Sequence, residues 1–166
     1  MAYSCYTPGA QPIANTETAA KHYLGQVVRG YDSTYGEGEF IYLLGVGSTE
    51  VGFLVIYDAT TYQTALLTVT NGKNKGQPIA VAMSANVATQ YGWYQIGGNA
   101  VIKKTTVLTL PQVPIFISAT TGRMKTLLSA GQQILNAQTA NLTTVVSTTS
   151  TVVVTIQRPF TQGQIT

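Results

Sequence analysis

The sequence predicts an all-β protein, a jelly roll, barrel or sandwich, and three observations favour that class. Short apolar runs recur from residue 40 onward and are rich in β-branched and aromatic side chains. Most of these runs end at Gly, Pro, Asn or Asp, which are the residues that turns prefer. No capped apolar pattern at helical spacing is sustained anywhere in the chain. Many short strands separated by frequent turns are typical of sandwiches and barrels.

The first 25 residues differ from the rest and predict an extended N-terminal arm. They contain Tyr3, Tyr6 and Pro8 but no sustained period. Proline restricts the backbone in advance, so such an arm loses little further entropy when it binds a surface. We therefore predict an arm over residues 1–25, whose tyrosines and prolines anchor on another surface, and one all-β domain over 26–166. A chain of this length can bury a core without disulfides or metals.

The predicted strands follow one another through this domain. Asn71-Gly72 is the strongest hairpin signal in the chain. Gly97-Gly98 is expected to end one strand, and Arg158-Pro159 is expected to end the last. The predicted strands cover residues 40–44, 53–57, 65–70, 79–83, 91–96, 100–103, 113–117, the region of 124–128, 134–137 and 152–156.

A run of Thr, Val and Ser over residues 143–155 carries no charge and has a high β propensity. Alternation would place threonine on a solvated face and valine in a core. Left exposed, such a strand would promote aggregation. We therefore expect a partner subunit to cover it.

The charge is low and unevenly distributed. Only 9% of the residues are charged, which suits a chain packed against neighbours. Residues 1–60 contain all six acids and two basic residues, a net charge of −4, whereas the remainder has seven basic residues and no acid. This split predicts contact with an acidic partner surface or between protomers, unless the fold interleaves the two halves. The partner-binding candidates are Tyr3, Tyr6, Pro8, Arg123, Lys125 and Arg158.

Residues capable of catalysis are sparse. The single cysteine, Cys5, and the single histidine, His22, have no acid or amide nearby in the sequence to orient them. They cannot supply a structural zinc site. Glu37 and Glu39 would share one face of a strand, and the glycines between them favour a solvated turn. We expect no enzyme activity, no cofactor and no metal.

Nucleic acid and membrane partners are also not expected. The basic residues come as scattered pairs near strand ends, which differs from the dense stripe that nucleic-acid binding requires. The sequence shows no signal peptide and no apolar stretch of the length needed to cross a bilayer.

From residue 26 onward the pattern resembles the small capsid decoration (cement) proteins of tailed bacteriophages. The resemblance lies in the order of strands and the positions of glycines, without an invariant chemical motif. It rests on residues 38–46, 52–58, 78–83, 91–98, 115–119, 130–137 and 154–159.

The resemblance implies a protein that binds the outside of the shell, contacts the major capsid protein and forms a homodimer or homotrimer. It also implies assembly in the host cytoplasm and a final location on the capsid exterior of the virion. The alternative is a carbohydrate- or receptor-binding module of a fibre or tail, which would use Tyr31, Tyr35, Trp93 and Tyr94 as stacking platforms.

Overall fold

The computed structural model describes the backbone of residues 4–5 and all atoms of residues 11–164. Within this range the chain forms twelve strands and one helical turn. In chain order they are β1 (Ser4–Cys5), β2 (Thr16–Glu17), β3 (Val27–Asp32), β4 (Gly36–Leu44), β5 (Leu54–Tyr57), β6 (Thr64–Leu66), α1 (Val69–Gly72), β7 (Ile79–Ala82), β8 (Tyr91–Lys103), β9 (Pro114–Ile117), β10 (Met124–Lys125), β11 (Gln133–Thr139) and β12 (Thr151–Thr161).

The strands belong to one antiparallel sheet that curls into a half-barrel. Its main path runs β1-β3-β4-β8-β12-β11-β9-β10. The long strand β8 is the centre, because it pairs with β4 through residues 91–98 and with β12 through residues 97–103. Strands β2 and β7 also pair with the first half of β8, and β5 and β6 continue beyond β7. The prediction of an all-β barrel or sandwich is confirmed.

The core follows from the two-residue period of the strands. Along the first half of β12, buried and partly exposed residues alternate, so that Val152, Val154 and Ile156 point inward. They belong to the largest apolar cluster, together with residues from β5, β7, β8, β9 and β11. A second cluster includes Val28, Phe40 and other residues beneath the N-terminal segment.

The predicted hairpin at Asn71-Gly72 is wrong, because these residues end the helical turn α1. The side chains of Thr68 and Asn71 cap each other's backbone: Thr68 N–H donates to Asn71 Oδ1 at 2.8 Å, and Asn71 N–H donates to Thr68 Oγ1 at 3.2 Å. Gly72 is buried, and a Cβ there would lie 2.6 Å from Ile117 Cδ1. The glycine therefore serves close packing and does not form a two-residue turn.

Two strands continue through residues that were expected to stop them. Strand β8 passes through Gly97 and Gly98 because a bulge at Ile96 shifts its register against β4. Strand β12 passes through Arg158 and Pro159, where the ladder with β11 is interrupted and resumes at Phe160. The sequence analysis also missed β3. Exposed and buried positions alternate along this strand, but Gly30 occupies one of the buried positions, so the pattern of apolar side chains is short.

Strand β12 needs no partner subunit along its edges. It pairs with β8 on one side and β11 on the other, so residues 151–155 leave no unpaired strand edge for a partner subunit to cover. Residues 143–150 form part of a loop, and only Thr151 onward is strand.

Part of the predicted arm packs on the sheet. Ile13 is buried in the cluster with Val28 and Phe40, and Thr16–Glu17 pair with the start of β8. Glu17 is buried and accepts a hydrogen bond from the Tyr42 hydroxyl at 3.2 Å. The domain boundary at residue 25 stays a prediction, but residues 13–17 are attached to the body.

Candidate docking surface

Three connected loops expose a group of apolar side chains. The loops are 104–113, 126–132 and 140–150, which follow β8, β10 and β11. The Thr126 hydroxyl donates to Leu108 O at 3.2 Å, and Asn141 Nδ2 donates to Thr109 O at 3.3 Å, so all three are connected. We call the exposed apolar residues of these loops the leucine end: Leu108, Leu110, Leu127, Leu128, Leu142 and Val146.

The leucines are exposed because their neighbours are held inward. Thr109 is fully buried and exchanges two backbone hydrogen bonds of 2.9 Å with Val145. Leu108 and Leu110 on either side of it are 57% and 50% exposed. Leu128 and Leu142 are 84% and 97% exposed and contribute almost nothing to this chain's own core. Several exposed apolar residues on loops that contact one another are typical of an interaction surface.

A buried lysine fastens two of the loops from beneath. Lys104 is 1% exposed, and its ammonium donates to Val107 O at 2.7 Å and to Val146 O at 3.2 Å, with a longer contact of 3.4 Å to Thr105 O. Burial lowers the pKa of Lys104. Backbone carbonyls satisfy its donors, as a buried charge requires. The leucine end is therefore presented on loops that the chain itself ties together.

No carboxylate lies in these loops, since the last acid of the sequence is Asp58. Lys125 stands beside the loop of Leu127 and Leu128, and its ammonium donates to Ser129 Oγ at 2.7 Å. The surface therefore combines apolar side chains with positive charge, which is complementary to an apolar surface with acidic residues around it.

Of the three predicted partner-binding residues that the structure describes, two lie close together. Arg123 and Lys125 flank Met124 in β10, next to the leucine end. Arg123 is partly engaged within the chain, with its guanidinium donating to Lys104 O at 3.3 Å. Arg158 lies in β12, three strands away along the sheet, beside Glu39. Tyr3, Tyr6 and Pro8 lie outside the residues that the structure describes.

The acidic and basic halves of the sequence are partly interleaved. Lys103 of the second half pairs with Glu50 of the first, and Arg158 pairs with Glu39 at 3.4 Å. The hydrogen bond and charge of Lys103 lower the pKa of Glu50. The charge split of the sequence therefore does not become two separate surfaces, although the leucine end keeps its positive character.

Two of the four aromatic residues considered for ligand stacking are in the core. Trp93 and Tyr94 are fully buried, so they cannot stack on a ligand, whereas Tyr31 is 46% exposed and Tyr35 is partly exposed. His22 packs against two aromatic rings of the core, with its ring centroid 5.2 Å from those of both Tyr42 and Trp93.

The sequence analysis missed the leucine end. Its apolar residues resemble those of the predicted strands, and several lie within threonine-rich segments. One signal was available: Leu127 and Leu128 are adjacent, and successive residues of a strand point to opposite faces. At least one of the two therefore had to leave the core or the strand.

Across residues 11–164, no cluster of three or more His, Cys, Asp or Glu side chains is arranged to hold a metal ion. The same part of the chain contains no helix that is long and apolar enough to span a membrane. The chain matches no known protein family, no curated protein and no solved structure.

Proposed function

We propose that this chain is a non-enzymatic structural protein that binds the outer surface of a tailed-phage capsid and stabilises adjacent coat subunits. In this proposal it acts as a homodimer or homotrimer, with the major capsid protein as its partner. The leucine end is the observation that carries the proposal, and the resemblance of the sequence pattern to phage decoration proteins supplies the identity of the partner.

The energetics of the leucine end support a role in assembly. Burying a leucine side chain fully stabilises a complex by about 1.5–3 kcal/mol, so several half-exposed to fully exposed leucines leave a large apolar contribution unused in the isolated chain. The hydrogen bonds of Lys104 reduce the ordering that the loops must undergo on binding. Identical copies around a symmetry axis would present identical ends to identical coat subunits, and linked weak contacts reinforce each other.

The test is co-sedimentation of the purified protein with empty, expanded shells of the phage that encodes it. We expect retention at a stoichiometry that is a simple multiple or fraction of the coat protein. The double variant Leu128→Ser/Leu142→Ser should weaken retention at least tenfold, because both side chains would be buried in the contact. Val87→Ser is the matched control, since Val87 is exposed but lies outside the leucine end.

The double variant should remain folded, because Leu128 and Leu142 are almost fully exposed. Absence of the wild-type protein from the sedimented shells would refute the proposed function. Equal retention of the double variant and the wild type would refute the assignment of the leucine end as the contact.

A further inference from the structure

Two adjoining hollows form a groove across the sheet. The first, of ≈ 510 Å³, is lined by residues of β3, β4, β8, β11 and β12, and the second, of ≈ 420 Å³, by residues of β9, β11 and β12. They share Asn136 and Gln157. The groove crosses six successive strands from β3 to β9, which corresponds to about 24 Å at a spacing of about 4.8 Å per strand. It is thus long enough for several linked units of a small repeating ligand.

Glycines make room for the first hollow. Gly38, Gly97 and Gly98 line it, and Gly38 and Gly98 are direct partners across β4 and β8. Gly98 has a φ of +88°, and a Cβ there would lie 2.2 Å from Glu37 O. The close approach of β4 and β8 beneath the hollow therefore depends on a glycine at position 98.

Amide side chains of β11 and β12 line the groove from its middle to the end at β9. Asn136, Gln138 and Gln157 are exposed, and in the part of the chain that the structure describes their side chains make no hydrogen bond. Each amide can donate and accept, so a row of them matches a ligand that carries many hydroxyl groups.

At the end of the groove formed by β3 and β4, carboxylate and guanidinium side chains balance each other's charge. Glu39 contacts Arg29 at 3.3 Å through one carboxylate oxygen and Arg158 at 3.4 Å through the other. Glu37 lies on the same face of β4, so two carboxylates accompany two guanidiniums. This arrangement supplies strong hydrogen-bonding groups without a net charge, which favours a neutral ligand over an anionic one.

An aromatic ring flanks this charged end. Tyr31 is directly opposite Glu37 in the pairing of β3 with β4, and it shares the exposed face of β3 with Arg29. It is 46% exposed and can pack against the apolar face of a sugar ring. An extended peptide fits less well, because peptides add along a strand edge whereas this groove runs across paired strands.

We propose that the groove binds a neutral oligosaccharide, with Asn136, Gln138 and Gln157 as hydrogen-bonding groups and Tyr31 as the stacking residue. This site is separate from the leucine end and does not depend on the capsid role. Attachment of a particle through many weakly binding copies would, in addition, rest on the proposed function.

The test applies the full-length protein to an array of neutral and acidic oligosaccharides. The neutral oligosaccharide that binds most strongly is then titrated by calorimetry. We expect Gln157→Ala and Tyr31→Ala each to weaken its binding at least fivefold. Gln164→Ala is the matched control, because Gln164 is an exposed glutamine outside the groove, and it should bind as the wild type does.

Three results would overturn the proposal: an array with no bound oligosaccharide, binding restricted to acidic oligosaccharides, or unchanged affinity in both groove variants. Circular dichroism of each variant excludes a loss of fold as the cause of weaker binding. The Leu128→Ser/Leu142→Ser variant should bind the oligosaccharide normally, so failure of the glycan site and failure of the capsid role are distinguishable.

Discussion

Replacing Gly98 with alanine tests two constraints that coincide at one residue of the groove. The first is its backbone conformation, with a φ of +88°, and the second is its close approach to Glu37 O of the neighbouring strand. Two other glycines carry one constraint each. Gly36 has a φ of +78°, and a Cβ there would have no neighbouring atom within 4 Å, whereas a Cβ on Gly97 would lie 3.2 Å from Glu39 Cβ at an ordinary φ.

The magnitudes follow from these distances. A left-handed conformation costs an alanine about 1–2 kcal/mol. Relieving a 2.2 Å contact with a backbone oxygen requires β4 and β8 to separate locally, and overpacking of this kind costs about 1–3 kcal/mol. Alanine lowers the conformational entropy of the unfolded chain, and this stabilises the folded state by about 0.4–1 kcal/mol in each Gly→Ala variant. We expect Gly98→Ala to lower the free energy of unfolding by about 2–4 kcal/mol, Gly36→Ala by about 1 kcal/mol and Gly97→Ala by less than about 1 kcal/mol.

Urea unfolding followed by tryptophan fluorescence measures these differences. Trp93 is the only tryptophan of the chain and is fully buried, so its emission reports the loss of the core. The m-values of the variants should equal that of the wild type, which makes the comparison valid. If Gly98→Ala costs no more than Gly36→Ala, the close approach to Glu37 O does not constrain the fold, and the reasoning about the groove is wrong.

Two further predictions concern buried polar groups. Burial raises the pKa of Tyr94, although hydrogen bonds from Asn86 and Thr64 oppose this rise. The neutral hydroxyl therefore contributes its full stabilisation below about pH 10, the ordinary pKa of tyrosine in the unfolded chain. This contribution is lost as the pH rises through the pKa of Tyr94 in the folded protein. Urea unfolding at pH 8 and pH 11 should therefore show a smaller alkaline loss of stability for Tyr94→Phe than for the wild type, and an equal loss would contradict this assignment. Lys104→Met removes the charge-assisted hydrogen bonds that connect two of the loops, each of which contributes about 1.5–3 kcal/mol. The backbone amides of Thr109 and Val145, which pair these loops, should then exchange hydrogen at least tenfold faster. The amides of the core should exchange at the same rate as in the wild type. Unchanged exchange at both amides would show that Lys104 does not hold the loops.

The strands were predictable wherever side chains alternate or form compact apolar runs. Branched and aromatic residues of β4, β5, β7 and β9 follow this rule, since a pleated sheet accommodates them on its buried face. Several of the errors lie at glycine and proline. Asn71-Gly72 favours a hairpin locally, but mutual capping with Thr68 and the packing of Gly72 on Ile117 favour a helical turn. The capping is a local signal that the sequence analysis did not use, whereas the packing of Gly72 on Ile117 is a tertiary contact without one.

The candidate surfaces were less predictable than the strands. Arg123 and Lys125 were named because basic residues near strand ends are visible in the sequence, and they lie beside the leucine end, but their role in partner binding stays a prediction. The leucines themselves were not found, because exposure depends on which loops meet. The groove was missed for the same reason: Asn136 and Gln157 come from different strands, and only their pairing in the sheet brings them to one hollow.

The edges of the sheet bear on how copies of this protein associate. A long unpaired strand at an edge can pair with a strand of another chain. Here β10, at one end of the main path, has two residues, and β6, the outer strand of the β7-β5-β6 extension, has three. Short edges offer few backbone hydrogen bonds to a partner. Among the described residues, we therefore propose that recognition uses side-chain surfaces: the leucine end for a protein partner and the groove for a glycan. Because they use different residues, loop residues for the leucine end and strand residues for the groove, a variant that disables one should leave the other intact.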